Sequence, residues 1–257
     1  MELRHLGSTG IDVSPLGLGT VKIGRNEQVK YPQGFEIPGD QAVRRLFELA
    51  RELGINFIDT APAYGSSEER LGQLLPNRND WVIMTKVGEI FEKGESRFDF
   101  SAGHTRRSVE NSLSKLRRDH VDIVLVHSDG NDMDIINNQG ALEELHRLKQ
   151  EGLIRAYGMS TKTVEGGSWI VEHTDVVMAT YNLETDVELP VIERAHELNK
   201  GVVIKKGLQS GHAASVEDAF RLVLTRPGVS SMIVGTINAD HLRSNVDACN
   251  RVINNMV

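Results

Sequence analysis

Cysteine is almost missing from this chain: Cys249 is the only one in 257 residues. An intrachain disulfide is therefore impossible, which fits a reducing compartment and a cytoplasmic location. No apolar run approaches the length of about 18 residues that a membrane span needs. The first residues, Met1-Glu2-Leu3-Arg4-His5, contain no apolar stretch of the kind that marks a secretion signal. Nor is there a run of basic residues, and the net charge is −7. Nucleic-acid and membrane partners are not expected from such a surface. The nine histidines form no His-x-x-x-His pair, and one cysteine cannot build a thiolate cluster, so no metal site is expected.

What the chain does contain is regular alternation. Apolar residues make up 39% and charged residues 25%, an ordinary globular balance. Short runs rich in Val and Ile occur at 14–19, 56–58, 81–85, 122–126, 154–158, 176–179, 202–204 and 232–234. They are too short for helices and read as buried strands. Between them lie amphipathic segments. Val43, Leu46, Ala50 and Leu53 make one helical stripe, Val109, Leu113 and Leu116 another, and Leu142, Leu145 and Leu148 a third. Three helix ends share a polar last turn followed by glycine, at Gly54, Gly152 and Gly201. A glycine there is expected to take the left-handed capping conformation.

Repeated strand–helix units of this kind build parallel sheet. Eight units in a chain of this length suit a closed (β/α)8 barrel; an open doubly wound sheet is the competing arrangement. Residues 2–13 read as a small β-hairpin ahead of the barrel. No linker or change of composition divides the chain, so residues 1–257 are expected to form one domain. Leu16-Gly17-Leu18-Gly19 looks like the start of a dinucleotide fingerprint, but Lys22 stands where its third glycine belongs and no helical pattern follows.

Four polar residues fall at or just after the ends of strand runs two to four: Asp59, Tyr64, Lys86 and His127. Singly they have ordinary readings: a turn former, a packing residue, a surface charge and a structural histidine. In a barrel these strand ends share one face, the one on which catalytic residues lie.

The surrounding residues carry a resemblance. Asp59-Thr60-Ala61-Pro62-Ala63-Tyr64-Gly65, with Glu68 and Leu71-Gly72 after it, resembles the aldo-keto reductase signature. So do Thr85-Lys86-Val87-Gly88, Arg107-Ser108-Val109-Glu110-Asn111-Ser112-Leu113 and the run from Val121 to His127. The resemblance implies that Asp59, Tyr64, Lys86 and His127 are catalytic. Tyr64 would be the general acid in hydride reduction of an aldehyde, ketone or sugar carbonyl. A free tyrosine, with a pKa of about 10, is a poor acid at neutral pH, and a neighbouring ammonium is expected to lower that value.

The resemblance also implies a nicotinamide cofactor, NADP(H) in the first place with NAD(H) as the other candidate. The expected contacts are Thr20, Asp59, Ser160, Thr161, Met178, Lys205, Leu208, Ser210, Gly235, Thr236, Asn238, His241 and Asn245. Several depart from the family's usual pattern. Thr161 and Met178 stand where Asn and Gln commonly hold the nicotinamide amide, and Lys205 stands where a Tyr often stacks on the ring. By analogy with base stacking, a lost aromatic contact weakens binding by about 1–3 kcal/mol.

On the substrate side, Val21 and Ser128 replace frequent tryptophans, and the chain ends at Val257 without the long terminal loop of many relatives. An open, fairly polar cleft is therefore expected. Asp129, Asn131 and Asp132 are candidates for its rim or, equally, for a solvated loop, and loop 21–39, with Tyr31 and Phe35, is the candidate for a wall. The partner would be a small carbonyl substrate, and the chain a monomer or weak homo-oligomer. The alternative is a slow or inactive cofactor-binding regulatory module on the same scaffold. The intact tetrad favours the enzyme; the altered nicotinamide contacts favour the module.

Overall fold

The computed structural model describes residues 1–29 and 31–255. Residues 256–257, including the chain end named above, lie outside the described residues, as does Lys30 of the loop 21–39. A short hairpin, β1 (Arg4–His5) with β2 (Asp12–Val13), comes first. All eight sequence runs then appear as strands. They are β3 (Leu16–Gly19), β4 (Phe57–Asp59), β5 (Val82–Val87), β8 (Val121–His127), β9 (Ile154–Ser160), β10 (Val176–Thr180), β11 (Gly201–Lys205) and β12 (Val229–Val234). Each pairs in parallel with its neighbour in sequence, and β12 closes on β3 through Met232 opposite Leu16. The result is a closed parallel barrel, a (β/α)8 arrangement rather than an open sheet.

Helices cover its outside: α1 (Val21–Gly24), α2 (Asp40–Glu52), α3 (Ser67–Leu74), α4 (Ala102–Leu116), α5 (Asp132–Asn138), α6 (Ala141–Gln150), α7 (Val164–His173), α8 (Leu189–Glu197), α9 (Val216–Leu224) and α10 (Ala239–Asn254). The anticipated stripes face inward; Val43, Ala50, Val109, Leu116, Leu145 and Leu148 are fully buried. Among the described residues, no helix is long and apolar enough to cross a membrane.

Among the described residues, two apolar bodies result. The larger lies between helices and strands. The smaller fills the barrel, where Phe57, Met84, Ile123, Leu125 and Val203 meet Leu6, Ile11 and Val13 from the N-terminal hairpin segment. The hairpin therefore plugs one end of the barrel. The opposite end, where the strands finish, stays open.

Gly54 and Gly152 take the left-handed conformation as expected, with φ of 82° and 78°. Gly201 does not. The left-handed residue at that helix end is Asn199, with φ of 51°. Gly201 is needed for space instead: a Cβ there would lie 2.7 Å from Leu6 of the plug. The sequence reading anticipated neither the one-turn helix α1, which follows β3 where no helical pattern was expected, nor the antiparallel hairpin β6 (Glu89–Glu92) and β7 (Glu95–Phe98) that follows β5.

Candidate active site

Asp59 is the last residue of β4, Lys86 lies near the end of β5, and His127 ends β8. Parallel register aligns these ends, so the side chains converge at the open mouth. Tyr64 reaches the same place from a 3₁₀ turn, Pro62–Tyr64. That turn stops at Gly65, whose φ is 63° and whose Cβ would lie 2.2 Å from the Gly24 carbonyl oxygen. Glycine is required by both conformation and space.

Lys86 is the hub of the group. Its ammonium donates to Asp59 Oδ1, to the Thr60 carbonyl at 3.0 Å and to the Tyr64 hydroxyl at 3.1 Å. Only 2% of Lys86 is exposed, so solvent does little to screen these contacts. Burial works to lower its pKa, but Asp59 and Tyr64 outweigh that, and the net shift is upward. Lys86 stays charged. Tyr64 behaves otherwise than the sequence led us to expect. Burial raises its pKa and Asp59 adds to the rise; Lys86 pulls downward but does not win, and the hydroxyl is pushed up to about 12. Burial is the main cause, and the ammonium that favours a phenolate is largely offset by the adjacent Asp59. Tyr64 therefore holds its proton across the neutral range.

His127 stands beside Tyr64, with ring centroids 6.4 Å apart and nearly perpendicular. Burial holds its pKa below the usual imidazole value; Lys86 and Lys205 push the same way and Glu89 opposes them. Glu89, at the start of β6, is a site residue that sequence reasoning missed. Its Oε2 lies 2.7 Å from His127 Nδ1. The available signal was Lys93-Gly94, a two-residue turn with φ of 53° and 80° that folds β7 back on β6.

A cleft of about 740 Å³ opens above this group. Asp59, Tyr64, Lys86, His127, Ser160, Met178 and Lys205 line one part. Thr20, Leu208, Ser210, Gly235, Thr236, His241 and Asn245 line the rest, so most of the expected cofactor contacts share a single space. Val21, Lys22 and Tyr31 close it from the first loop, as expected for a wall. Tyr31 packs edge-on against Phe35 and under the Lys22 ammonium, and a Cβ on Gly235 would come within 3.1 Å of its hydroxyl. The loop thus reaches across to the turn after β12.

Two expected contacts do not line the cleft. Thr161 is fully buried, and its hydroxyl donates to Glu188 Oε1 at 2.8 Å. Glu188 also accepts from the Thr180 amide, so this pair ties the β9 and β10 ends together. Asn238 is an exposed cap on α10, accepting from the amides of Asp240 and His241. Lys205 does not point freely into the cleft. It donates to Ser160 Oγ at 2.8 Å and to the Thr161 carbonyl at 2.5 Å, and burial brings its pKa down to about 8.

The suggested acidic rim also differs. Asp132 is buried at 1% exposure and accepts from Lys162 N, Thr163 N and the Thr163 hydroxyl, a clamp between loops. Asp129 caps its own turn by accepting from Asn131. None of Asp129, Asn131 and Asp132 is among the residues that line the cleft.

A closed parallel barrel with a buried lysine joined to an aspartate and a tyrosine at its open mouth defines a class: (β/α)8 proteins with a bonded Asp–Lys–Tyr group at the strand ends. Within that class the chain belongs to the aldo/keto reductase family, whose model matches residues 15–218. It is similar to L-galactose dehydrogenase of Arabidopsis thaliana, 29% identical over 96% of this chain and 88% of that protein. The uncharacterised oxidoreductase YqkF of Bacillus subtilis is 27% identical, over 97% of this chain and 92% of that one. Among solved structures, a Pseudomonas aeruginosa protein assigned to the aldo-keto reductases is 53% identical, with a TM-score of 0.91 over 98% of this chain and 95% of that one. The holo form of an aldo-keto reductase from Bacillus halodurans is 25% identical, with a TM-score of 0.80 over 96% of this chain and 90% of that one.

Proposed function

We propose that this protein is an NAD(P)H-dependent reductase of an aldehyde, ketone or sugar carbonyl, with Tyr64 as general acid and residues 1–257 acting as one cytoplasmic barrel domain. The observation that carries the reading is the buried Lys86, bonded at once to Asp59 and to the Tyr64 hydroxyl at the floor of a cleft. A structural lysine has no need of a phenol at the cleft floor.

The donor set suits a dinucleotide. The cleft runs from the tetrad to the turn before α10, where Thr236, His241 and Asn245 supply polar contacts and a 16-residue helix presents its N-terminus. Gly19 and Gly235 leave backbone, not side chain, facing that end. NADP(H) is the preferred form in this proposal and NAD(H) the alternative. The bound cofactor would supply a hydride.

The chain's own residues would do the remainder. A carbonyl oxygen placed against Tyr64 gains negative charge as its carbon is reduced, and the hydroxyl gives up its proton to it. Lys86 stabilises the phenolate left behind, and Asp59 keeps Lys86 in place. His127 orients the substrate oxygen from the other side. Ser160 and Met178 would flank the nicotinamide, with Lys205 behind Ser160 rather than stacked on the ring.

The regulatory-module reading draws on one observation, that Thr161 is turned away from the cleft. The two are separated by titrating NADPH and NADH by fluorescence and then assaying turnover over a broad carbonyl panel. We expect micromolar binding and measurable reduction. Tight binding with no turnover across the panel would move the conclusion to the module.

A further inference from the structure

His127 has a charged neighbour that the chemistry above leaves unused. Glu89 Oε2 is 2.7 Å from His127 Nδ1, and both side chains are largely buried. The carboxylate is fixed on its other oxygen too. Ser96 Oγ donates to Oε1 at 2.6 Å, and the Arg25 guanidinium lies 3.7 Å from it. Arg25 is itself pinned, donating to the Ala63 carbonyl and lying 3.4 Å over the Phe91 ring. Burial works against a charge on Glu89, but His127, Ser96 and Arg25 more than offset it and hold the carboxyl down to about 2. Glu89 is therefore an anion at every working pH.

The contact is off the axis of an ideal ring N–H bond, since Nδ1 has no aligned hydrogen-bond partner. Charge still decides which nitrogen carries the proton. An unprotonated Nδ1 carries negative partial charge and is repelled by a carboxylate oxygen at this distance, even off axis, whereas a protonated Nδ1 is attracted. The ring lines the cleft while Nδ1 is buried, so the other nitrogen, Nε2, is the one left for a ligand.

We propose that Glu89 is a positioning residue that keeps the His127 proton on Nδ1, so that the ring meets substrate through a bare Nε2 when neutral and through an N–H donor only as a cation. This rests on the reading of His127 as the substrate-facing histidine. The groups around the ring are Glu89 from β6, Lys86 from β5, Lys205 from β11 and the Tyr64 phenol. A neutral ring with a bare Nε2 accepts a hydrogen bond from an alcohol; a cationic ring donates one to a carbonyl oxygen. Glu89 thus makes the two directions of the reaction respond oppositely to pH. Carbonyl reduction falls about tenfold per pH unit above the His127 pKa, and alcohol oxidation rises to a plateau through the same point.

The test is the ring nitrogen shifts of ¹⁵N-histidine-labelled full-length protein without cofactor, with His127 assigned from the signals missing in His127→Gln. We expect the Nδ1-protonated tautomer at neutral pH. In Glu89→Gln we expect about a tenfold loss of ring proton affinity, and the pH limb for reduction displaced downward by the same amount with cofactor affinity unchanged. Glu89→Asp should restore part of the shift. An Nε2-protonated tautomer in the wild type overturns the proposal, whether or not any variant folds. A folded Glu89→Gln with the wild-type titration also overturns it. The nitrogen shifts need no turnover, so an inactive protein with the Nδ1 tautomer would sink the reductase reading alone.

Discussion

Tyr64 and Lys86 give the sharpest expectation at the scale of single residues. Tyr64→Phe keeps the ring and removes the only proton that the proposed reduction draws from the protein. Turnover should fall by about 10²–10⁴, with the fold and cofactor affinity near wild type. Lys86→Met should cost a similar factor, because a phenolate at Tyr64 then has no ammonium beside it. The double variant should be little worse than either single one, since both disable one acid. Steady-state kinetics of the three proteins with a good aldehyde decide this; wild-type turnover in Tyr64→Phe would end the assignment. These four side chains were legible in the sequence because each ends or follows a strand run, and a barrel brings such ends together. The height of the Tyr64 pKa was not legible, because it depends on how deeply the hydroxyl is buried and on how far Asp59 offsets Lys86.

The element that holds the site from behind is α3. Ser67 Oγ donates to the Thr20 hydroxyl and is bonded to the Thr60 hydroxyl, and Glu68 Oε1 accepts from Thr85 at 2.6 Å. Each of those threonines adjoins a strand end that forms the cleft. Gly72 lets α3 approach α4 so closely that a Cβ would lie 1.9 Å from the Lys115 carbonyl oxygen. Gly72→Ala must push the two helices apart. A loss of about 1–3 kcal/mol is expected from such overpacking, read as a lower urea midpoint at unchanged slope. Activity should suffer beyond the change in stability, because α3 sets Thr20, Thr60 and Thr85. The β6–β7 hairpin is the contrasting element. Its residues are largely exposed, so no apolar periodicity announces it, yet it delivers Glu89 to His127 across 37 intervening positions of chain.

Stability of the whole molecule depends on closing the strand circuit and plugging the end opposite the cleft. Leu6 is fully buried in the plug beside Gly201, and Arg4 donates to the carbonyls of Leu224 and Val229 near the end of the circuit. Leu6→Ala should lower stability by about 2–5 kcal/mol, as for other large core truncations. Because the cleft lies at the opposite mouth, cofactor affinity measured well below the melting transition should be unchanged. A loss of affinity with no loss of stability would show that the plug and the cleft are coupled in a way the packing does not suggest.

The sequence by itself determined the eight strands, the helix faces and the four residues at the mouth. Those features follow from short-range periodicity and from the geometry that any parallel barrel imposes on its strand ends. Tertiary structure alone decided which polar groups meet. Thr161 follows a strand end as a contact residue would, yet it turns to Glu188. Lys205 was expected against the nicotinamide ring, yet it spends its donors on Ser160 and Thr161. Gly201 reads as a helix cap yet exists to admit Leu6. Burial of apolar residues is written locally, in spacing. The partner of a hydrogen-bonding or charged group is set by segments far apart in the chain, and it becomes fixed only when the barrel closes.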